Sequence, residues 1–143
     1  MASNIVLSDA QATPVAHTFV PVGRDAKGIF WFEDQSQASA IGYWKISVEL
    51  KRPPASQAGQ NSKDRVARAL IGLHEPVLET VSNNTVSGIS PAPTISYVPR
   101  SFTEFVIPER ASLQNRKDIR KMTANLMADT QMVSVVENLV YLS

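Results

Sequence analysis

Residues 44 to 52 read WKISVELKR, and few segments leave a chain so little choice. Trp44, Ile46, Val48 and Leu50 alternate with Lys45, Ser47, Glu49 and Lys51. A period of two puts successive side chains on opposite sides of an extended strand, whereas a helix would smear both sets around its circumference. The segment therefore belongs to a sheet with one covered face and one polar face. Pro53 and Pro54 stop it, because proline donates no ladder hydrogen bond, and the polar ASQAGQNS that follows reads as a loop.

Other short runs supply neighbours. NIVLS (4–8) and VAHTFVPVG (15–23), separated by DAQATP, read as a hairpin. GIFWFED (28–34) reads as a strand apolar on both faces, at Ile29, Phe30, Trp31 and Phe32. In RVARALIGLHEP (65–76), Ala67, Ala69, Ile71 and Leu73 share one face; Val66, Arg68, Leu70, Gly72 and His74 share the other. VSNNTVSGISPAP (81–93) is a long connection rich in Ser, Asn, Gly and Pro, and connections of this length are usually functional or mobile. One further strand is expected from about Ile95 to Ile107.

Then the period changes. Ile119, Met122 and Leu126 recur at helical spacing behind Ser112, a suitable N-cap. ADT (128–130) interrupts, and Met132, Val135, Val136, Leu139 and Val140 form a second apolar stripe. Strands followed by two helices predict an α+β fold, with the helices packed on one face of an antiparallel sheet. A chain of 143 residues fits a single domain, 1–143. Its expected parts are a hairpin to about residue 24, a sheet over 28–107 and helices over 109–142.

The first helix carries QNRKDIRK (114–121), with cations at Arg116, Lys117, Arg120 and Lys121. Such a run is ordinarily a solvated face, but a phosphate partner is the sharper alternative. Arg116/Arg120 and Lys117/Lys121 are like-charge pairs four apart, which mildly destabilise an isolated helix; Glu109 and Asp118 are the acids expected to offset them. The net charge of only +1 excludes a globally basic nucleic-acid coat such as a histone, so any nucleic-acid site must be a local patch. Residues 45–75 sum to +3 and the remainder to −2.

Enzyme chemistry finds little support. There is no cysteine, which excludes disulfides and thiolate metal sites. His17 and His74 lie far apart on strand-like segments, and a structural role is expected for each. There is no P-loop, G-x-G-x-x-G or G-x-S-x-G, and the carboxylates are scattered. No cofactor, metal or small-molecule substrate is expected. The first twenty residues lack a signal-peptide pattern, and no apolar run is long enough to cross a membrane. What remains is the polar face of the sheet. Lys45, Ser47, Glu49 and Lys51, joined by Arg68 and His74, suit a phosphate backbone; a plain solvated face is the competing reading.

The C-terminal segment SFTEFVIPERASLQNRKDIRKMTANLMADTQMVSVVENL closely resembles the end of the coat proteins of single-stranded RNA bacteriophages, the levivirus family. The likeness runs less tightly through GIFWFEDQSQASAIGYWKISVELKRPP and RVARALIGLHEP, and is weakest over the first 25 residues. It implies a short N-terminal hairpin, a five-stranded antiparallel sheet and two C-terminal helices. It also implies an intertwined homodimer with one continuous ten-stranded sheet, in which each subunit's helices cross onto the partner. The dimer interface would hold Ile119, Met122, Leu126, Met132, Val135, Val136 and Leu139.

Dimers would assemble in the bacterial cytoplasm into an icosahedral virion shell around single-stranded RNA, with the sheet facing inward. The resemblance thus places RNA on Lys45, Ser47, Glu49, Lys51, Arg68, His74, Arg100 and Phe102, and leaves QNRKDIRK outside the site. At the position where relatives often stack an aromatic ring on an unpaired base, this chain has Arg100, with Phe102 two residues on. Asn83, Asn84, Gly88, Pro91 and Pro93 would lie in the loop that gathers dimers around the symmetry axes, without the disulfides some relatives use there. A cellular RNA-binding dimer that forms no shell is the alternative.

Overall fold

A computed structural model describes residues 1–61, 65–79, 88 and 91–143. Among the described residues eight strands and two α-helices follow one another: β1 Ile5–Ser8, β2 Ala16–Arg24, β3 Phe30–Asp34, β4 Trp44–Lys51, β5 Val66–His74, β6 Val77–Leu78, β7 Ile95–Tyr97, β8 Arg100–Pro108, α1 Leu113–Met127 and α2 Thr130–Asn138. The chain divides into two compact units, 1–51 with 68–104 and 52–67 with 105–143.

The main sheet has six strands in the order β1-β2-β3-β4-β5-β8, not the five expected. The difference lies in β2. Its residues 16–19 pair with β1, and its residues 20–24 pair with β3 across an irregularity between Pro21 and Gly23. A strand of nine residues is long enough for both pairings, so the hairpin and the sheet are continuous. The strand expected over 95–107 is also corrected. It breaks into β7 and β8 around Pro99, which has no N–H to donate, and β7 pairs with β6 in a separate two-stranded sheet.

In the first unit the core sits on one face. Phe19, Phe32 and Ile46 are buried, with Ile5, Phe30, Trp44, Val48 and Leu73 packed around them. Strand register explains the cluster, since Phe32 pairs with Ile46 and Ile46 with Leu73, while Phe30 pairs with Val48. At the β2–β3 turn, Gly28 takes φ +86°, a conformation that a side chain would strain. There the Asp25 carboxylate accepts from the backbone N–H groups of Lys27 and Ile29.

On the same face as this core, His17 is clasped between two carboxylates. Its Nδ1 lies 2.7 Å from Asp34 Oδ2 and its Nε2 3.2 Å from Asp9 Oδ2, while its ring stacks on Trp44 at 4.5 Å. Asp9 also accepts from the N–H groups of Gln11 and Val15, which shapes the β1–β2 connection. The hydrogen bond with Asp34, then that with Asp9, pushes the His17 imidazole above the usual histidine range despite burial. Burial pushes the Asp34 carboxyl up, but hydrogen bonds with His17 and Ser36 outweigh it and hold it low. The expected structural role fits this arrangement.

In the second unit, Glu109 N–H donates to the Arg65 carbonyl at 2.8 Å, and the Arg65 guanidinium donates to the Pro54 carbonyl and pairs with Glu109. Ser112 caps α1 as expected, in a reciprocal capping box with Asn115. Asp129 caps α2 by accepting from Gln131 N–H at 2.9 Å. Leu139, at φ +54°, ends α2, so Leu139 and Val140 continue the apolar stripe beyond the helix rather than within it. Neither helix contains a buried residue.

Candidate nucleic-acid interface

The alternation in β4 puts Lys45, Ser47, Glu49 and Lys51 on the face opposite the core. Their partners on β5 are His74, Gly72, Leu70 and Arg68, in that order. On β3, Glu33 pairs with Lys45 and Trp31 with Ser47. From β8, Phe102 joins the same face, its ring 5.4 Å from that of His74 in an edge-on contact. Register thus gathers six of the eight residues expected at an RNA site, and the ring contact adds Phe102. Arg100 is the eighth, close enough for its charge to act on His74.

Three of the cations at this site are paired. Lys45 lies 3.6 Å from Glu33, Lys51 lies 3.1 Å from Glu49, and Arg68 lies 3.0 Å from Glu104. Among the described residues Arg100 forms no ion pair. Solvated pairs of this kind contribute little in water, and a polyanion that neutralises the same cation competes with them directly.

At the centre is an aromatic row. Trp31 lies 5.5 Å from His74, and His74 lies 5.4 Å from Phe102. Trp31 is held by its own Nε1–H, which donates to Asp25 Oδ2 at 2.9 Å. His74 Nε2 lies 3.0 Å from Ser47 Oγ. Gly72 makes this contact possible, because a Cβ there would fall 2.5 Å from Ser47 Oγ and 3.0 Å from both His74 Nε2 and Phe102 Cε1. Burial, then the charges of Arg100 and Lys45, pushes the His74 imidazole below the usual histidine range.

Trp31, Glu33 and Glu104 were not legible as members of this face. GIFWFED reads as apolar on both sides, but Phe30, Phe32 and Asp34 turn to the core face while Trp31 and Glu33 turn away. The segment ends in two acids of opposite parity, Glu33 with Trp31 and Asp34 with Phe32, so its sequence carries no signal that separates the faces.

The basic run is elsewhere. Arg116, Lys117, Arg120 and Lys121 are all exposed on α1. The acids expected to offset them are engaged differently: Glu109 pairs with Arg65, and Asp118 accepts from Gln114 at 2.7 Å. Arg116 instead donates to the Ser112 carbonyl. Of the apolar stripes, Ile119, Leu126 and Met122 are exposed, the last at 67 %, as are Val136 at 69 % and Leu139 at 83 %. Met132 and Val135 are half-buried. Gly88, Pro91 and Pro93 are exposed, with Gly88 at φ +70°, while Asn83 and Asn84 lie outside the described residues.

The fold that carries this face matches solved structures closely. The virus-like particle of bacteriophage ESE058 aligns with a TM-score of 0.90 and 51 % identity, covering 100 % of this chain and 99 % of that one. The virus-like particle of bacteriophage NT-214 aligns at 0.81 with 27 % identity, again over 100 % and 99 %. An unassembled bacteriophage coat protein dimer, described as RNA-binding, shares the fold at 0.60 and 16 % identity over 99 % and 98 %. No curated protein matches the sequence. The profile of the levivirus coat protein matches residues 1–141, essentially the whole chain, and the protein therefore belongs to the levivirus coat protein family.

Proposed function

We propose that this chain is a self-assembling capsid subunit that binds an RNA hairpin on the polar face of its sheet. Two copies join their sheets edge to edge into one continuous sheet, and the helices of each cross onto the other. Dimers then close into an icosahedral shell around single-stranded RNA, in the cytoplasm of the bacterial host. As a coat protein the chain is a component of the virion, and its family is a structural one rather than an enzyme family.

The observation that carries this reading is the bareness of the helices. Apolar side chains repeat at helical spacing, yet no residue of α1 or α2 is buried. Apolar surface arrayed in this way is covered in a stable assembly, and a second copy supplies a matching surface by symmetry. The 51 % identical relative, a virus-like particle, supports closure into a shell. Support for RNA comes from Lys45, Lys51, Arg68 and Arg100 around Trp31, His74 and Phe102, since phosphates seek cations and unpaired bases stack on rings.

The test is the particle itself. Protein overproduced in bacteria and purified without added cofactor is sized by gel filtration with light scattering and imaged by electron microscopy. Particles containing RNA are expected. A dimer at every salt and protein concentration tried would favour an RNA-binding module that forms no shell.

A further inference from the structure

His74 occupies an unusual place. It is the register partner of Lys45, its ring lies between those of Trp31 and Phe102, and Ser47 holds its Nε2 at 3.0 Å. Its other ring nitrogen, Nδ1, has no partner among the described residues, and it is not among their buried unsatisfied atoms. We infer that His74 is a proton-coupled phosphate ligand: when RNA binds, the ring takes up one proton from solvent and holds a backbone phosphate as the imidazolium. This rests on the sheet-face RNA site proposed above and adds its regulation by pH.

The argument begins with hydrogen-bond inventory. A neutral imidazole has one N–H, so only one of its nitrogens donates. If Ser47 O–H donates to Nε2, the ring offers Nδ1–H alone and the hydroxyl proton is spent within the protein. Protonation changes both groups at once. Nε2–H then donates to Ser47 Oγ, and the hydroxyl proton is released to point at the incoming anion. Two donors, Nδ1–H and Ser47 O–H, become available where there was one. If the neutral ring instead carries its proton on Nε2, protonation adds the missing donor at Nδ1. Either tautomer ends in the same state, and the balance is one proton gained per ring.

Charge decides when this happens. The groups facing the ring are Lys45 on β4, with Glu33 on β3 beside it, and Arg100 on β8. Arg68, Glu104, Lys51 and Glu49 lie further along the same face and are paired among themselves. With no ligand, burial and the two nearest cations keep His74 neutral. A phosphate drawn to Lys45 and Arg100 removes that repulsion and adds an attraction of opposite sign. The same group is thus neutral when free and charged when bound, and by linkage RNA binding must tighten as pH falls. Gly72 supports the device by leaving Ser47 and His74 in contact.

The protein is titrated with a synthetic RNA stem–loop bearing unpaired bases, at fixed ionic strength, across the histidine range. The association constant should rise as pH falls, by up to about tenfold per pH unit, the limit for a single coupled proton. Calorimetry in two buffers of different ionisation enthalpy should report net proton uptake at neutral pH. His74→Gln keeps a hydrogen-bonding side chain and should still bind RNA, but with a flat pH profile and no uptake. His17, on the core face, should contribute to neither quantity, and His17→Gln checks this.

Several outcomes overturn the inference. Wild-type protein that binds RNA with no proton uptake refutes it directly, and that measurement does not depend on any variant folding. An unchanged pH profile in His74→Gln refutes the assignment to this ring. Both results leave the sheet-face site standing. Absence of RNA binding at every pH removes that site and this inference together.

Discussion

Replacing Val136 by Asp separates a protein complete in one chain from one completed by a second copy. Val136 is 69 % exposed and its neighbour in the stripe, Leu139, is 83 % exposed. In a lone chain an aspartate at 136 would stay in water, and such a surface change alters stability by about 0.5 kcal/mol or less. If a second copy covers the stripe, the native valine contributes about 2 kcal/mol on burial. A carboxylate in its place adds several kcal/mol more, because it must be buried without a partner or be protonated. By symmetry each dimer suffers the change twice. A loss of even about 4 kcal/mol weakens association about a thousandfold, enough to abolish dimers at ordinary concentrations. The assay is light scattering and thermal melting over a dilution series, with Val136→Ala as the control that removes bulk without adding charge. Val136→Asp should give no particles and little soluble dimer, while Val136→Ala should still assemble. Particles of Val136→Asp at the yield and melting temperature of the native protein would refute the reasoning.

Three other outcomes are expected. Lys45→Ala with Lys51→Ala should weaken RNA binding and flatten its salt dependence by a log–log slope of roughly 0.7 for each phosphate no longer neutralised, whereas Arg116→Ala with Lys117→Ala should leave both nearly unchanged; the reverse result would put RNA on α1. Gly72→Ala, whose Cβ would fall 2.5 Å from Ser47 Oγ, should force Ser47 to rotate and lower RNA affinity without lowering particle yield. Native affinity in that variant would mean the Ser47–His74 hydrogen bond is idle. The His17 clasp should hold the β1–β2 hairpin in a defined pH window. Its imidazole is raised in the fold, so its contribution is full below the ordinary histidine value and fades as pH rises through the folded value. Asp9 and Asp34 are lowered, so theirs is full above the ordinary carboxylate value and fades in acid as pH falls through the folded values. Hydrogen exchange in residues 5–24 should therefore quicken in mild alkali beyond its intrinsic rate, and equal protection in mild acid and mild alkali would contradict the clasp.

Much of the fold was legible because its signals are local. The alternation in β4 and the change of period after Pro108 each fix an element from a few adjacent residues. What was missed depends on partners distant in sequence. Nothing within VAHTFVPVG says that one strand will pair with two neighbours in succession, so the joining of the expected hairpin to the sheet emerged only from register. Trp31 looked like core because it sits among phenylalanines, and only pairing with Ser47 reveals its side. The face itself was readable from Lys45 to Lys51, but its carboxylates were not, since Glu33 and Glu104 arrive from other strands. Gly72 was legible as a member of the face, but its use appears only when Ser47, His74 and Phe102 converge over it.

The pairing of Lys45, Lys51 and Arg68 with their own carboxylates has a consequence for selectivity among RNAs. On the sheet-face reading, each phosphate that docks at one of these cations must displace an acid already there. A short or badly shaped fragment recovers little from any single exchange and dissociates. An RNA whose backbone reaches several positions together recovers all of them in one event. The face then behaves as a threshold in the number of simultaneous contacts, ignoring the abundant transcripts of the host at low occupancy and retaining a folded hairpin. Arg100, which has no acid partner among the described residues, is the natural point of first touch.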